Sequence, residues 1–186
     1  MSVVVITPPS PVVTFEEVEK HLADVPAEDQ TYVEGLIAAA TAWIDGPAGW
    51  LGRAIGVQLL EWQLSAWPCN GRWPIPDMLE VESVSYIDSA GVEQTWPLPD
   101  PVWFENMPVV RGRPGDIRIH YWAGYGKREG DPAAWANDTP AAIKVAIMML
   151  VAQWYHNRSS VTIGGASGVL PNTVNDLLSP YRVWRV

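Results

Sequence analysis

The chain has 186 residues, 48% of them apolar, which suffices for one domain with a hydrophobic core and excludes a chain disordered by composition. Its formal net charge of −9 argues against a protein that grips nucleic acid with its whole surface, because phosphate binding needs clustered Lys and Arg. Cys69 is the only cysteine, so no intramolecular disulfide is possible, and the longest apolar run, residues 145–152, is far too short to span a bilayer.

Residues 1–13 read as an extended arm, since Pro8, Pro9 and Pro11 deny it a helix. The arm has no basic start and is not a signal peptide, which points to a soluble chain made in a cytoplasm. Thr14 and Glu17 fit a capping box, opening a helix to about Ala23 that Asp24-Val25-Pro26 breaks. A second helix is expected from about residue 27 to 45, with Val33, Leu36, Ile37, Ala40 and Ile44 on one face and Gly46-Pro47 as its stop. Residues 57–126 change character. Partial alternation over 57–64 and 81–87, clean alternation from Ile117 to Tyr121, and a turn at Ser89-Ala90-Gly91 predict a small antiparallel region.

Residues 127–138 read as a polar loop. Thr139-Pro140 then reads as an N-cap with proline at the first helical position. The following helix, to about Asn157, carries the stripe Ile143, Ile147, Leu150, Val151 and Trp154. Gly164-Gly165-Ala166-Ser167-Gly168 is a flexible linker by composition. Asn172 caps a short last helix with Val174, Leu177 and Leu178 on one side, and Ser179-Pro180 ends it before the tail. The expected class is α+β in a single domain, 1–186. It has a helical scaffold of two N-terminal helices (14–56), one long helix (139–158) and a short C-terminal helix with its tail (172–186). A small β region (57–126) is inserted between them.

Little in the chain reads as chemistry. His21, His120 and His156 fall on three different expected elements with no H-x-x-x-H or H-E-x-x-H spacing, so no metal site is expected. Cys69 lies in the turn-like Trp-Pro-Cys-Asn-Gly and reads as a free thiol. The glycines of residues 124–130 lack the spacing of a phosphate loop, so no cofactor and no catalytic set is expected. Eleven tryptophans against two phenylalanines are unusual; most read as core and the rest as interface. Charge is uneven too. Residues 1–45 hold eight acids and one base, whereas residues 150–186 hold three bases and one acid. That pattern fits a solvated acidic helix face, or a head-to-tail assembly whose ends attract.

The block from Thr41 to Ile55, with Trp43-Ile44-Asp45-Gly46-Pro47 and Gly49-Trp50-Leu51-Gly52-Arg53, resembles the head–tail connector (adaptor) family of tailed phages and gene transfer agents. Three further segments add to the likeness in the same order. They are Ile6-Thr7-Pro8-Pro9 before a capped helix, Ile119-His120-Tyr121-Trp122-Ala123-Gly124-Tyr125-Gly126 followed by Pro140-Ala141-Ala142-Ile143-Lys144, and the ending Leu177-Leu178-Ser179-Pro180-Tyr181-Arg182-Val183-Trp184. The resemblance implies a non-enzymatic subunit in the neck of a virion or phage-like particle. It would form a homo-oligomeric ring beneath the portal protein, extend the DNA channel without sequence-specific binding, and offer a platform to a stopper or tail neck protein. It also implies that the portal-facing part is residues 172–186, with Val174, Leu177, Leu178, Tyr181, Arg182, Trp184 and Arg185 as contacts. The alternatives are a stopper or tail-completion subunit and a small carbohydrate-binding module whose tryptophans stack on sugars; the latter requires exposed, coplanar Trp side chains on the β region.

Overall fold

The computed structural model describes residues 2–23, 25–68, 73–98, 107–130, 134–158 and 172–184. Cys69, Arg185 and the glycine-rich stretch at 164–168 lie outside the described residues. The chain divides into two compact units, one of residues 1–10 and 54–138, the other of residues 11–53 and 139–186.

The first unit is built on a five-stranded antiparallel sheet in the order β1-β2-β5-β3-β4. Its strands are β1 (Ser2–Thr7), β2 (Gln58–Leu64), β3 (Met78–Ile87), β4 (Glu93–Thr95) and β5 (Ile117–Ala123). β5 is central, and its alternation puts Ile117, Ile119, Tyr121 and Ala123 on one buried face. Across the ladder Ile119 faces Trp62 of β2 and Val84 of β3, so three strands contribute to one apolar layer. Aromatic rings close that layer. Trp73 lies 4.9 Å from Tyr121 and 5.7 Å from Trp62, and Trp67 lies 5.7 Å from both Tyr86 and Trp96, centroid to centroid. The Trp67 indole N–H donates to the Pro108 carbonyl at 3.0 Å. The β3–β4 turn is tied by Asp88, whose carboxylate accepts from the amides of Ala90 and Val92 at 2.9 Å each.

Two expectations fail in this unit. The molecule is not a helical scaffold with a small β insert, for the described residues form two antiparallel sheets, of five and two strands, as well as the helices. Residues 2–7 pair with β2 as an edge strand. The prolines at 8, 9 and 11 follow the β-branched run Val3-Val4-Val5-Ile6, so they end a strand and leave it intact. The loop expected over 127–138 contains a two-stranded sheet, β6 (Gly126–Glu129) with β7 (Ala134–Asn137). Each strand has only four residues, β6 largely exposed and β7 mostly half-buried, too short and too little alternating for a hydrophobicity pattern to show strand character.

The second unit is helical: α1 (Phe15–Leu22), a 3-10 turn (Ala27–Asp29) leading into α2 (Gln30–Ile44), α3 (Ala141–His156) and α4 (Asn172–Leu178), followed by a 3-10 turn (Ser179–Tyr181). The capping box at α1 is complete: Thr14 Oγ1 accepts from the Glu17 amide at 3.3 Å, and Glu17 accepts from the Thr14 amide at 2.9 Å. α3 starts one residue later than the sequence suggests. Pro140 occupies its cap, and no side chain caps the helix. Val33, Ile37, Ala40 and Ile44 of α2 are buried, as are Ile143, Ala146, Ile147, Leu150 and Val151 of α3, while Leu36 is half-buried. Each fully buried large apolar side chain stabilises this layer by about 1.5–3 kcal/mol.

Candidate interaction surface

Most of the residues expected to dock lie in the last described stretch of the chain, but they do not share one fate. Val174 and Leu178 are fully buried, for α4 packs its apolar side on α3. Leu177 and Tyr181 are half-buried, Arg182 is half-buried, and Trp184 is 66% exposed. The short helix therefore finds its packing partner inside its own unit, and of the expected contacts those from Leu177 onward, Leu178 apart, offer surface.

That segment is held against the loop after α2. The Val183 amide donates to the Leu51 carbonyl at 2.8 Å, and Leu51 itself is fully buried, so the tail is pinned to a fixed point. The loop is a succession of tight backbone bonds. Gly46 donates to the Arg53 carbonyl at 2.8 Å, Trp50 to Trp43 at 3.0 Å and Leu51 to Ile44 at 3.2 Å. Two glycines are obligatory here. A Cβ on Gly49 would sit 2.2 Å from the Asp45 carbonyl oxygen, and Gly52 has φ +66° with the Val183 carbonyl 3.1 Å from where its Cβ would be. The tail can thus lie flat on Gly52, and the two most telling sequence segments, residues 41–55 and 177–184, come together in space.

Their meeting creates a stack. The Arg182 guanidinium lies 4.2 Å from the ring centroids of both Trp50 and Trp184. Each contact is a cation–π interaction, worth about 0.5–1 kcal/mol where exposed and more as water is excluded. The stack borders an open cleft of about 290 Å³ that also takes in Pro47 and Val183. Trp and Arg are the residue types that dominate binding energy at protein interfaces. Sequence reading found Arg182 and Trp184 but not Trp50, whose role depends on the tail crossing the loop.

A second cluster sits where α2 begins and α3 ends. Asp29 accepts from the Tyr155 hydroxyl and from Arg158, each at 2.5 Å, and Arg158 lies over Tyr32 and Tyr155 at 4.9 and 4.7 Å. The hydrogen bond from Tyr155, then that from Arg158, holds the Asp29 carboxyl below its usual range. Every charge here is paired, which makes the cluster a clamp between two helices.

On the face of the five-stranded sheet opposite its apolar layer, a polar row crosses four strands. Ser83 Oγ lies 3.2 Å from His120 Nδ1, His120 Nε2 lies 2.9 Å from Glu61 Oε2, Gln63 donates to Glu61 at 2.5 Å, and Ser2 donates to Gln63 at 3.0 Å. Burial works to raise the Glu61 pKa, but the hydrogen bonds from Gln63 and His120 outweigh it and leave the carboxyl below its ordinary value. Serine, histidine and carboxylate in that order are also the residue types of a nucleophile with its base. His120 and Glu61 lie on strands paired on both sides, and Ser83 faces His120 across the β3–β5 ladder, so the row follows the pairing of the sheet. The row stiffens the sheet face. Among the described residues no group of three or more His, Cys, Asp or Glu is placed to hold a metal ion, and no helix is long and apolar enough to cross a membrane.

The four tryptophans on the apolar layer of the sheet do not form a sugar platform. Trp62 is buried, Trp67, Trp73 and Trp96 pack on the same core, and the close pairs tilt by 53–54°.

No family model and no curated protein matches the sequence. Solved structures do. A chain from the virion of a native gene transfer agent (GTA) particle is similar over 100% of this chain and 97% of that one, with a TM-score of 0.65 at 24% identity. A chain from the neck of an empty GTA particle, computed with C6 symmetry, is similar over the same shares with 0.59 at 25% identity. One from the neck of a native GTA particle, computed with C12 symmetry, gives 0.62 at 23%. The likeness runs end to end and covers both units, so what these chains share is the whole fold.

Proposed function

We propose that this chain is a structural subunit of the neck of a gene-transfer-agent-like or phage-like particle: a head–tail connector that forms a ring beneath the portal protein, extends the DNA channel and offers a platform to a stopper or tail neck protein. The observation that carries this reading is the end-to-end likeness to chains of GTA particles, two of them from necks. Six- and twelvefold symmetry in those necks supports a closed ring of identical copies here. A net charge of −9 suits a conduit, since an acidic wall lets phosphate slide instead of holding it. The role is structural and not enzymatic. The tail segment Leu177, Tyr181, Arg182, Trp184 and Arg185 is the docking surface, with Val174 and Leu178 as the core that positions it.

Particles made without this chain test the reading. The expected result is DNA-filled heads that carry portal but no tail, and restoration of tails when the purified chain is added. Tailed, infective or transferring particles in its absence would overturn the proposal. Heads already closed by a stopper in its absence would place the chain at another level of the neck.

A further inference from the structure

We propose that the edge of the Arg182 guanidinium takes a carboxylate from helix α1 of a second copy of this chain, so that the tail of each copy clasps its neighbour. The inference rests on the ring reading and names the contact that would close the ring.

Four observations lead there. First, the guanidinium is held between two aromatic contacts, 4.2 Å from the ring centroids of both Trp50 and Trp184, and stays half-exposed. Its planar fork of N–H donors has the geometry that matches a carboxylate bidentately. Second, no carboxylate pairs with Arg182 among the described residues, whereas Arg111, Arg128 and Arg158 each have one. A cation fixed in a cleft without its counter-charge is a site that a partner completes. Third, the complement is present in the same sequence. Residues 1–45 carry eight acids and one base, and on α1 Glu16 and Glu19 are exposed and three residues apart, hence on one helix face. Glu17 is engaged by the cap and by Lys144, and Glu16 also bonds the Thr14 side chain while keeping its exposed edge to solvent. Fourth, tail and α1 are different patches of one surface. A contact between them is head-to-tail, and repetition of such a contact produces a ring where the rotation closes. A DNA phosphate is the weaker candidate, because one arginine on a chain of net charge −9 provides no track of cations.

The test uses the full chain and portal-bearing heads, counting bound copies per head. Wild type should saturate the heads. Arg182→Glu, and separately Glu16→Arg with Glu19→Arg, should each lower the copies bound at least tenfold with unchanged circular dichroism, and the combined charge swap should regain most of the loss. An independent readout is carbodiimide treatment of head-bound Arg182→Lys, mixed from isotopically light and heavy copies. A light-to-heavy link between position 182 and Glu16 or Glu19 supports the contact even if the swap does not restore binding. Wild-type binding together with full binding of Arg182→Glu overturns the inference and leaves the connector reading standing. So does a failed swap without an intercopy link, or full occupancy by Arg182→Glu with DNA lost from the heads, which would assign the arginine to phosphate. Failure of wild type to join heads removes the connector reading, and this contact with it.

Discussion

Single side chains decide how a helix start and a turn of this chain are fixed. Thr14 bonds the Glu17 amide while Glu17 returns to the Thr14 amide, so two otherwise orphaned donors at the start of α1 are satisfied together. Thr14→Ala should therefore cost about 0.5–2 kcal/mol, read from urea unfolding. Asp116 is a sharper case. Its carboxylate, 2% exposed, accepts from Arg111 at 2.7 Å and from the Arg113 amide at 2.6 Å. The Arg111 hydrogen bond is the largest influence and holds the carboxyl below its usual range, against the opposing effect of burial. A carboxyl with a folded-state pKa below its unfolded value stabilises the fold above the unfolded pKa and ceases to do so as pH falls through the folded one. Asp116→Asn should lower the melting temperature at pH 7, and the gap from wild type should shrink as the pH drops below the ordinary carboxylate range near 3.9. A gap that stays constant down to acid pH would show that the charge contributes nothing.

At the level of elements, α4 and the tail after it separate into a structural part and a surface part. Leu178 is fully buried and Trp184 is 66% exposed, only six positions later. Leu178→Ala should cost about 2–5 kcal/mol of stability, as should Leu150→Ala on α3, because each leaves a cavity in a packed layer. Trp184→Ala should leave the melting temperature nearly unchanged while weakening attachment to heads by about 2 kcal/mol or more, if it is a central anchor. Thermal melts and a head-binding assay on the same variants separate the two effects. Removing all of residues 172–186 would confound them, since it takes Val174 and Leu178 from the core. β1 supplies another element-scale expectation. It pairs with β2 through Ser2–Thr7, so the amides of this strand that face β2 should exchange slowly with solvent. Uniformly fast exchange over residues 2–7 would mean that the edge strand does not persist in solution.

For the whole molecule, much was legible from spacing alone. The period of Ile143, Ile147, Leu150 and Val151 located α3, the Thr14–Glu17 pair located the start of α1, and the alternation of Ile117, Ile119 and Tyr121 identified the central strand, because each signal is local and repeats along the chain. The order of a few short segments also carried the resemblance, and chains of GTA particles share this fold. What the sequence left hidden depends on contacts between distant positions. The run Val3-Val4-Val5-Ile6 becomes a strand only because β2 lies beside it, and β6 and β7 are strands only in each other's company; hydrogen-bond partners at long separation leave no mark on periodicity. The same holds for the surface. Arg182 and Trp184 could be read as anchors from their type, but the stack on Trp50 exists because Val183 bonds Leu51 over a glycine with no side chain to block it. Local pattern determined the helices and the central strand, and tertiary packing decided the edge strands and which side chains were left free to meet a partner, since pairing and burial are properties of the assembled layers and not of any one segment.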